Sequence, residues 1–410
     1  MRKCPQRGVH YLSDRDHVVS DEGAVEARDE AGLDVPLHAQ ALRKLSRRDR
    51  THYQVALDLL SSGSGVRALL QEGDLPLAGL GIYEALLARS WDIRFQDKGE
   101  MVFLAQVAVE VASNFDSKVY GEKDIGDLKA RAWGELANAY RAADQLRSAD
   151  RAFGYAYAFF AQGTGNPYLK VRLFDLSASL FGTWREFSLA DERLKVVADL
   201  YRELGEQYLA GRALITRALY TFYSGQPEEA LLLNKQGKAL IEARRDPALF
   251  LMAVHNDLLF LVDLGRYMEA KRALFDSRQH FIYSDHANAL RLRWIEGRID
   301  YGLRNLVSSE IAFREVREGM VKLGLSFHVA LASLDLAMVL LSQDRFAEAE
   351  KEVLAARDLF LTVEVYREFL GAVIFLEEVF RRRTVTPAMI EATVAHIWRK
   401  NLRVCPRHYR

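Results

Sequence analysis

The sequence predicts an all-α protein, a right-handed α-solenoid of stacked helix pairs closed by a C-terminal capping helix. Three observations lead to this prediction. Apolar residues recur at i, i+3, i+4 and i+7 between residues 53 and 380, which is typical of amphipathic helices. Three of the eight prolines lie between residues 77 and 386, and such scarcity favours long helices. A small residue also returns at a nearly constant interval, which indicates a structural repeat.

The repeat becomes visible when the short turns inside successive helix pairs are aligned. The small residue that follows each turn is Ala149, Ala190, Ala230, Ala270, Ser309 or Ala349. Successive positions are 39 to 41 residues apart. We expect these side chains to be buried where the second helix of a pair crosses the first, because a longer side chain would not fit there.

Several segments carry the spacing of a known repeat family. Trp133, Leu136, Ala137, Tyr140, Ala149, Phe153 and Ala156 match its signature positions, and Leu336, Ala337, Leu340, Phe346, Ala349 and Ala356 repeat them. The chain thus resembles the tetratricopeptide repeat (TPR) superfamily. Residues 255–270, 291–303 and 333–350 are similar to a group of largely uncharacterised bacterial TPR proteins. The resemblance implies that the first helix of each pair lines a concave, partner-binding face.

Charge and turn residues divide the chain into four segments. Residues 1–50 form a charged arm that we expect to be flexible, and residues 51–118 form a helical segment leading into the array. Residues 119–380 hold the TPR-like repeats. Residues 381–410 contain a capping helix and a basic tail, with eight Lys or Arg against the single Glu391.

The sequence gives no support for an enzyme. It lacks the P-loop, H-E-x-x-H, G-x-S-x-G and C-x-x-C motifs, and its ten histidines form no i, i+4 pair. Cys4 and His10 at one terminus and Cys405 and His408 at the other could supply four zinc ligands, but an extended array would separate them, so we predict reduced cysteines. We therefore expect no cofactor and no metal. The chain has no apolar run of membrane-spanning length, and we expect a cytoplasmic protein.

Polar residues at equivalent positions of the predicted first helices are candidates for partner binding. Arginines recur early in three successive helices, 41 and 40 residues apart, and could bind carboxylates through two parallel hydrogen bonds. The alternative is that they bridge neighbouring helices or are solvated. The predicted partner-binding residues are Arg131, Asn138, Arg172, Ser179, Arg212, His255, Asn256, Arg291, Trp294 and Arg298.

We therefore predict a non-catalytic scaffold that binds a protein or an acidic peptide in the concave groove. One alternative is a sensor or regulatory repeat domain of a bacterial transcription or signalling system. A second alternative is nucleic-acid binding through the basic C-terminal tail. This is the weaker one, because basic tails can contact nucleic acid by releasing counterions but most of them are solubilising ends.

Overall fold

A computed structural model describes residues 35–61, 79–94, 96–277, 286–362 and 367–399. The described residues contain nineteen helices and no strand, as the sequence predicts. They fall into two compact units, which we call the N-terminal unit (residues 35–277) and the C-terminal unit (residues 286–398). The division lies inside the segment 119–380 that the sequence treats as one array.

The N-terminal unit contains thirteen helices. They are α1 (Val35–Lys44), α2 (Arg47–Ser61), α3 (Leu80–Asp92), α4 (Lys98–Ser113), α5 (Ser117–Tyr120), α6 (Glu122–Ala142), α7 (Leu146–Phe160), α8 (Pro167–Thr183), α9 (Phe187–Glu203), α10 (Gln207–Tyr223), α11 (Pro227–Lys238), α12 (Pro247–Asp263) and α13 (Tyr267–Ser277). From α6 onward, consecutive helices pack as pairs. We call α6, α8, α10 and α12 the first helices of their pairs.

The C-terminal unit contains six helices. They are α14 (His286–Gly302), α15 (Leu306–Lys322), α16 (Ser326–Ser342), α17 (Phe346–Thr362), α18 (Arg367–Arg381) and α19 (Pro387–Arg399). Here α14 and α16 are the first helices of their pairs. The final helix begins at Pro387, because a proline needs no hydrogen-bond acceptor at the first helical position and the Thr386 hydroxyl accepts from the Met389 amide at 3.4 Å.

Each helix pair is built around the small residue that the sequence predicts. All five alanines and Ser309 have no accessible surface. The Ser309 hydroxyl donates to the carbonyl of Gly297 on the preceding helix at 2.8 Å, so a serine replaces alanine there without leaving its hydroxyl unpaired. The prediction of buried crossing positions is confirmed.

A second periodic feature lies five residues before each of these small residues. The backbone there takes a left-handed conformation, which reverses the chain between the two helices of a pair. Two of these positions are glycines, Gly225 and Gly265, for which a positive φ carries no steric cost. The others are Asp144, Arg185, Arg304 and Asp344, with φ between 57° and 64°.

Two first helices begin with a capping residue followed by proline. The Asn166 side chain accepts from the Tyr168 amide at 2.9 Å, and Asp246 accepts from the Leu249 amide at 2.9 Å. These bonds satisfy amides that have no partner within the helix. The residue pairs Asn166-Pro167 and Asp246-Pro247 therefore mark the starts of α8 and α12 in the sequence.

The N-terminal end of the described chain differs from the expectation. Residues 35–50, assigned to the flexible arm, form α1 and the start of α2. Leu37 and Leu45 are buried, and this apolar surface holds α1 against the helices that follow. The rest of the arm, residues 1–34, lies outside the described residues, as does the basic tail after residue 399.

Candidate functional site

The predicted arginines of the N-terminal unit form ion pairs that connect consecutive first helices. Arg172 on α8 donates from Nε and Nη2 to the two carboxylate oxygens of Glu135 on α6, at 2.8 and 3.1 Å. Arg212 on α10 donates from Nη2 to Asp175 on α8 at 2.9 Å. Each carboxylate lies one turn beyond the arginine of its own helix, so α6 binds α8 and α8 binds α10 in the same way. We call this series, with the pair Arg131–Glu84, the arginine–carboxylate ladder.

The ladder begins at a buried cluster on α3. Arg131 on α6 donates from Nη1 to Glu84 Oε1 at 2.7 Å, and His38 Nδ1 on α1 lies 2.9 Å from Glu84 Oε2. Burial would raise the pKa of Glu84, but the charge of Arg131 and the hydrogen bonds from His38 and Arg131 outweigh it and hold the pKa below its usual value. Glu84 is therefore ionised at neutral pH and ties α1 to the first pair of the array.

The arginine side chains of the ladder differ in their exposure to solvent. Arg172 is 1% exposed, and its guanidinium also lies over the Trp91 ring at 4.7 Å, whereas the Arg212 side chain is 21% exposed. A fully buried, two-point ion pair holds helices together, since a partner outside the protein cannot reach it. Arg212 is the ladder arginine that such a partner can reach.

The other predicted residues of the N-terminal unit also differ in exposure. Asn138 is buried and accepts from Arg141 Nε at 3.2 Å, and Asn256 is buried as well. Ser179 is half-buried, with its hydroxyl 3.4 Å from the Asp175 carbonyl. His255 is likewise half-buried. The accessible members of the set in this unit are therefore Ser179, Arg212 and His255.

In the C-terminal unit, two of the three predicted residues converge on a buried carboxylate. Trp294 Nε1 donates to Asp335 Oδ2 at 2.6 Å, and Arg298 Nε lies 3.9 Å from the same oxygen. Burial raises the pKa of Asp335, and the Arg298 charge and the Trp294 hydrogen bond offset part of that rise. Arg291 stands apart and donates to Asn288 on its own helix at 3.1 Å.

The carboxylates of the ladder were missed by the sequence reasoning. Glu135 and Asp175 follow Arg131 and Arg172 by four and three residues, which places each acid on the same helix face as the arginine. That pairing is a signal that the sequence contains. Glu84 and His38 gave no comparable signal, because they lie outside the repeated region.

Within the described ranges, no group of three or more His, Cys, Asp and Glu side chains is placed to hold a metal ion. The four candidate zinc ligands Cys4, His10, Cys405 and His408 lie outside those ranges. No helix among the residues described is long and apolar enough to cross a membrane.

Comparison with known proteins identifies the fold. No protein-family model matches the sequence, and no curated protein matches it. Among solved structures, the crystal structure of aspartyl phosphate phosphatase F from Bacillus subtilis matches with a TM-score of 0.53 at 15% identity, over 78% of this chain and 86% of that one. The chain is a TPR-like helical repeat protein in fold, which agrees with the resemblance seen in the sequence.

Proposed function

We propose that this chain is a non-catalytic scaffold that binds a protein or an acidic peptide along the face formed by its first helices. The observation that supports the proposal is the graded exposure of the ladder. Buried Arg172 fixes the spacing of the helices, while Arg212 presents a partly exposed guanidinium on the same face. Five N–H donors allow an arginine to bind a second carboxylate while it keeps the first.

The other candidate contacts of the N-terminal unit lie on first helices next to that of Arg212. Ser179 precedes Arg212 by one helix pair and His255 follows it by one, and both are partly accessible. In the C-terminal unit, Arg291 and Arg298 are the accessible candidates. We infer that Ser179, Arg212 and His255 contact a partner at the N-terminal unit, where Arg131, Asn138, Arg172 and Asn256 hold them in position. In the C-terminal unit, taken by itself, Arg291 and Arg298 are the proposed contacts and Trp294 holds them in position.

The similar solved structure is that of a protein named as a phosphatase. At 15% identity the likeness concerns the fold, so that activity stays with that protein. For this chain we propose no enzymatic role, because its sequence lacks catalytic motifs. A regulatory role in transcription or signalling is the first alternative, in which partner capture transmits a signal. Nucleic-acid binding would depend on the tail after residue 399.

The proposal is tested with the full chain and an array of short peptides of known sequence. We expect peptides with acidic side chains or a free C-terminal carboxylate to be retained, and their binding to weaken with salt. Arg212→Gln should weaken the best peptide about tenfold or more, because a charged hydrogen bond contributes about 1.5–3 kcal/mol.

A matched control is available on a second helix. Arg202 on α9 is 40% exposed and pairs with Asp199 on its own helix, away from the ladder. Arg202→Gln should leave peptide binding unchanged. Equal losses in R202Q and R212Q would mean that the arginines act only through net charge, and retention of neutral peptides alone would refute an acidic partner.

A further inference from the structure

The outer face of α15 carries an exposed stripe of side chains with the spacing of a coiled-coil seam. Its members lie at alternating intervals of four and three residues, and they are Val307, Ile311, Arg314, Glu318 and Val321. The three apolar members are open to solvent, with Val307 71% exposed, Ile311 49% and Val321 60%. The buried residues of α15 lie on the opposite face of the helix. Exposed apolar side chains aligned in this way are typical of a protein contact surface.

The two charged members of the stripe differ in their contacts within the chain. The Arg314 side chain is 35% exposed and donates from Nε and Nη2 to Glu310 Oε1, at 3.0 and 2.8 Å. Its five N–H donors allow it to bind a further carboxylate. Glu318 is exposed and forms no ion pair within the described ranges. The stripe thus presents one cation and one carboxylate, one helical turn apart, between its apolar residues.

We propose that α15 is the surface through which two copies of this chain associate, with the two α15 helices antiparallel and related by a two-fold axis. In this arrangement Arg314 lies opposite the partner's Glu318, and Ile311 lies opposite the partner's Val321. The two-fold axis makes each of these contacts twice. Every charge of the stripe then meets an opposite charge, and the apolar side chains are covered by apolar ones.

The other ways of pairing two α15 helices are disfavoured by the same residues. A parallel pair would place each stripe residue against its own counterpart, so that two arginines and two glutamates would repel each other. In the neighbouring antiparallel registers, Ile311 would face the partner's Arg314, or Val321 would face the partner's Glu318. An apolar side chain opposite a charged one leaves the charge partly desolvated and unpaired. The order of residues in the stripe therefore selects one orientation and one register.

The length of α15 indicates how tight the association is. The helix has 17 residues and is about 25 Å long, so the contact is small in comparison with that of a permanent dimer. We expect reversible association with a dissociation constant of about 10–100 µM. The proposal is independent of the proposed partner-binding function, because Arg291 and Arg298, the proposed contacts of this unit, lie on α14.

The association is tested by sedimentation equilibrium of the full chain from about 5 to 500 µM. We expect a monomer–dimer equilibrium that Ile311→Lys weakens about tenfold or more, because it places an unpaired charge against the partner's Val321. Ile374 on α18 is 50% exposed, nearly the same as Ile311, and lies outside the stripe. Ile374→Lys should leave the dissociation constant unchanged. A monomer at every concentration, or equal weakening by I311K and I374K, would overturn the proposal.

A charge exchange tests the orientation of the two helices. Glu318→Arg should weaken association about tenfold, because the new arginine faces the partner's Arg314. The double variant R314E/E318R restores an opposite-charge pair in the antiparallel register and should associate as the wild type does. Melting temperatures report whether the variants are folded, since R314E also removes the pair with Glu310. A folded double variant that associates as weakly as E318R would contradict the antiparallel pairing.

Cross-linking tests the register directly. In a chain with Cys4→Ser and Cys405→Ser, the double variant I311C/V321C should form a disulfide-linked dimer when a mild oxidant is added. The variant I311C alone should stay unlinked, because the two copies of residue 311 would be about 15 Å apart along the helix axes, beyond the reach of a disulfide. A linked dimer of I311C alone, or no linked dimer of I311C/V321C at about 500 µM protein, would overturn the proposed register.

Discussion

Arg172 and Glu135 form a two-point ion pair between α8 and α6 in a region from which solvent is almost excluded. Removing water strengthens the attraction between the two charges, but it also makes each charge dependent on the other. Replacing only one of the two residues therefore leaves the other charge buried without a counter-charge.

We predict that Arg172→Met lowers the free energy of unfolding by about 3–5 kcal/mol, because it leaves Glu135 buried without a counter-charge. Urea titration of the full chain measures the loss. The double variant R172M/E135M should recover most of it, since two apolar side chains can pack where the pair was. The exposed pair Arg202–Asp199 is the control, and R202M should cost no more than about 1 kcal/mol. A double variant as unstable as R172M would contradict this explanation.

The buried alanine of each helix pair gives a second prediction. Ala149→Leu inserts three carbon atoms at a crossing with no free surface and should destabilise the protein by about 1–3 kcal/mol. Ala158 lies on the same helix α7 and is exposed, so Ala158→Leu should leave stability nearly unchanged. Thermal melts of the two variants check the difference, and equal melting temperatures would show that the crossing can widen.

Two glycines set the distance between α10 and α11. A Cβ atom at Gly237 would lie 2.8 Å from the Gly211 carbonyl oxygen, and one at Gly211 would lie 2.9 Å from the Gly237 carbonyl oxygen. Gly237→Ala should therefore cost about 1–3 kcal/mol, because backbone must move to make room.

Gly154 on α7 provides the matched comparison, since a Cβ atom there meets nothing within 4 Å. Gly154→Ala should raise stability by about 0.5–1 kcal/mol through better helix propensity. Chemical denaturation measures the free energy of unfolding of both variants, and we expect the two changes to have opposite signs. A stabilising G237A would contradict the close approach of the two helices.

The buried carboxylate of Asp335 predicts an unusual pH dependence. An aspartate whose folded-state pKa is raised above its unfolded value binds more protons in the folded protein. Its contribution to stability is therefore largest at low pH and is lost as the pH rises through the folded-state pKa.

Asp335→Asn removes this dependence and keeps an oxygen that can accept from Trp294 Nε1. Relative to the wild type, D335N should gain stability as the pH is raised from about 4 to 7. Melting temperatures of the two proteins across that range measure the effect. If the stability of D335N relative to the wild type is constant with pH, or increases toward acid pH, the effect of Arg298 on the carboxylate outweighs the effect of burial.

Much of the fold could be predicted from the sequence because it rests on local rules. The helical period, the small residue at each crossing and the capping residues before Pro167 and Pro247 each act within a few residues. Helix α1 was missed because its surroundings are charged. Its apolar residues Leu37 and Ala41, and Leu45 directly after its end, nonetheless recur every four residues.

The candidate site was only partly predictable. The helical period predicts that Arg131, Arg172 and Arg212 lie on one face of their helices. It does not predict how deeply each side chain is buried. The burial of an arginine depends on which side chains of the preceding helix pair pack against it. The buried cluster of Arg131, Glu84 and His38 joins three separate helices, and no local pattern encodes such a meeting.

Helices of both units pack mainly against their neighbours in sequence. The chain can therefore form most of its native contacts without first closing long loops, which predicts rapid folding for its length. A destabilising substitution in such an architecture has a local effect, because the stability of each helix pair depends on contacts within the pair and with the pairs on either side. Unfolding can then proceed one pair at a time from an end of a stack, and hydrogen exchange should be slowest in the middle of the N-terminal unit.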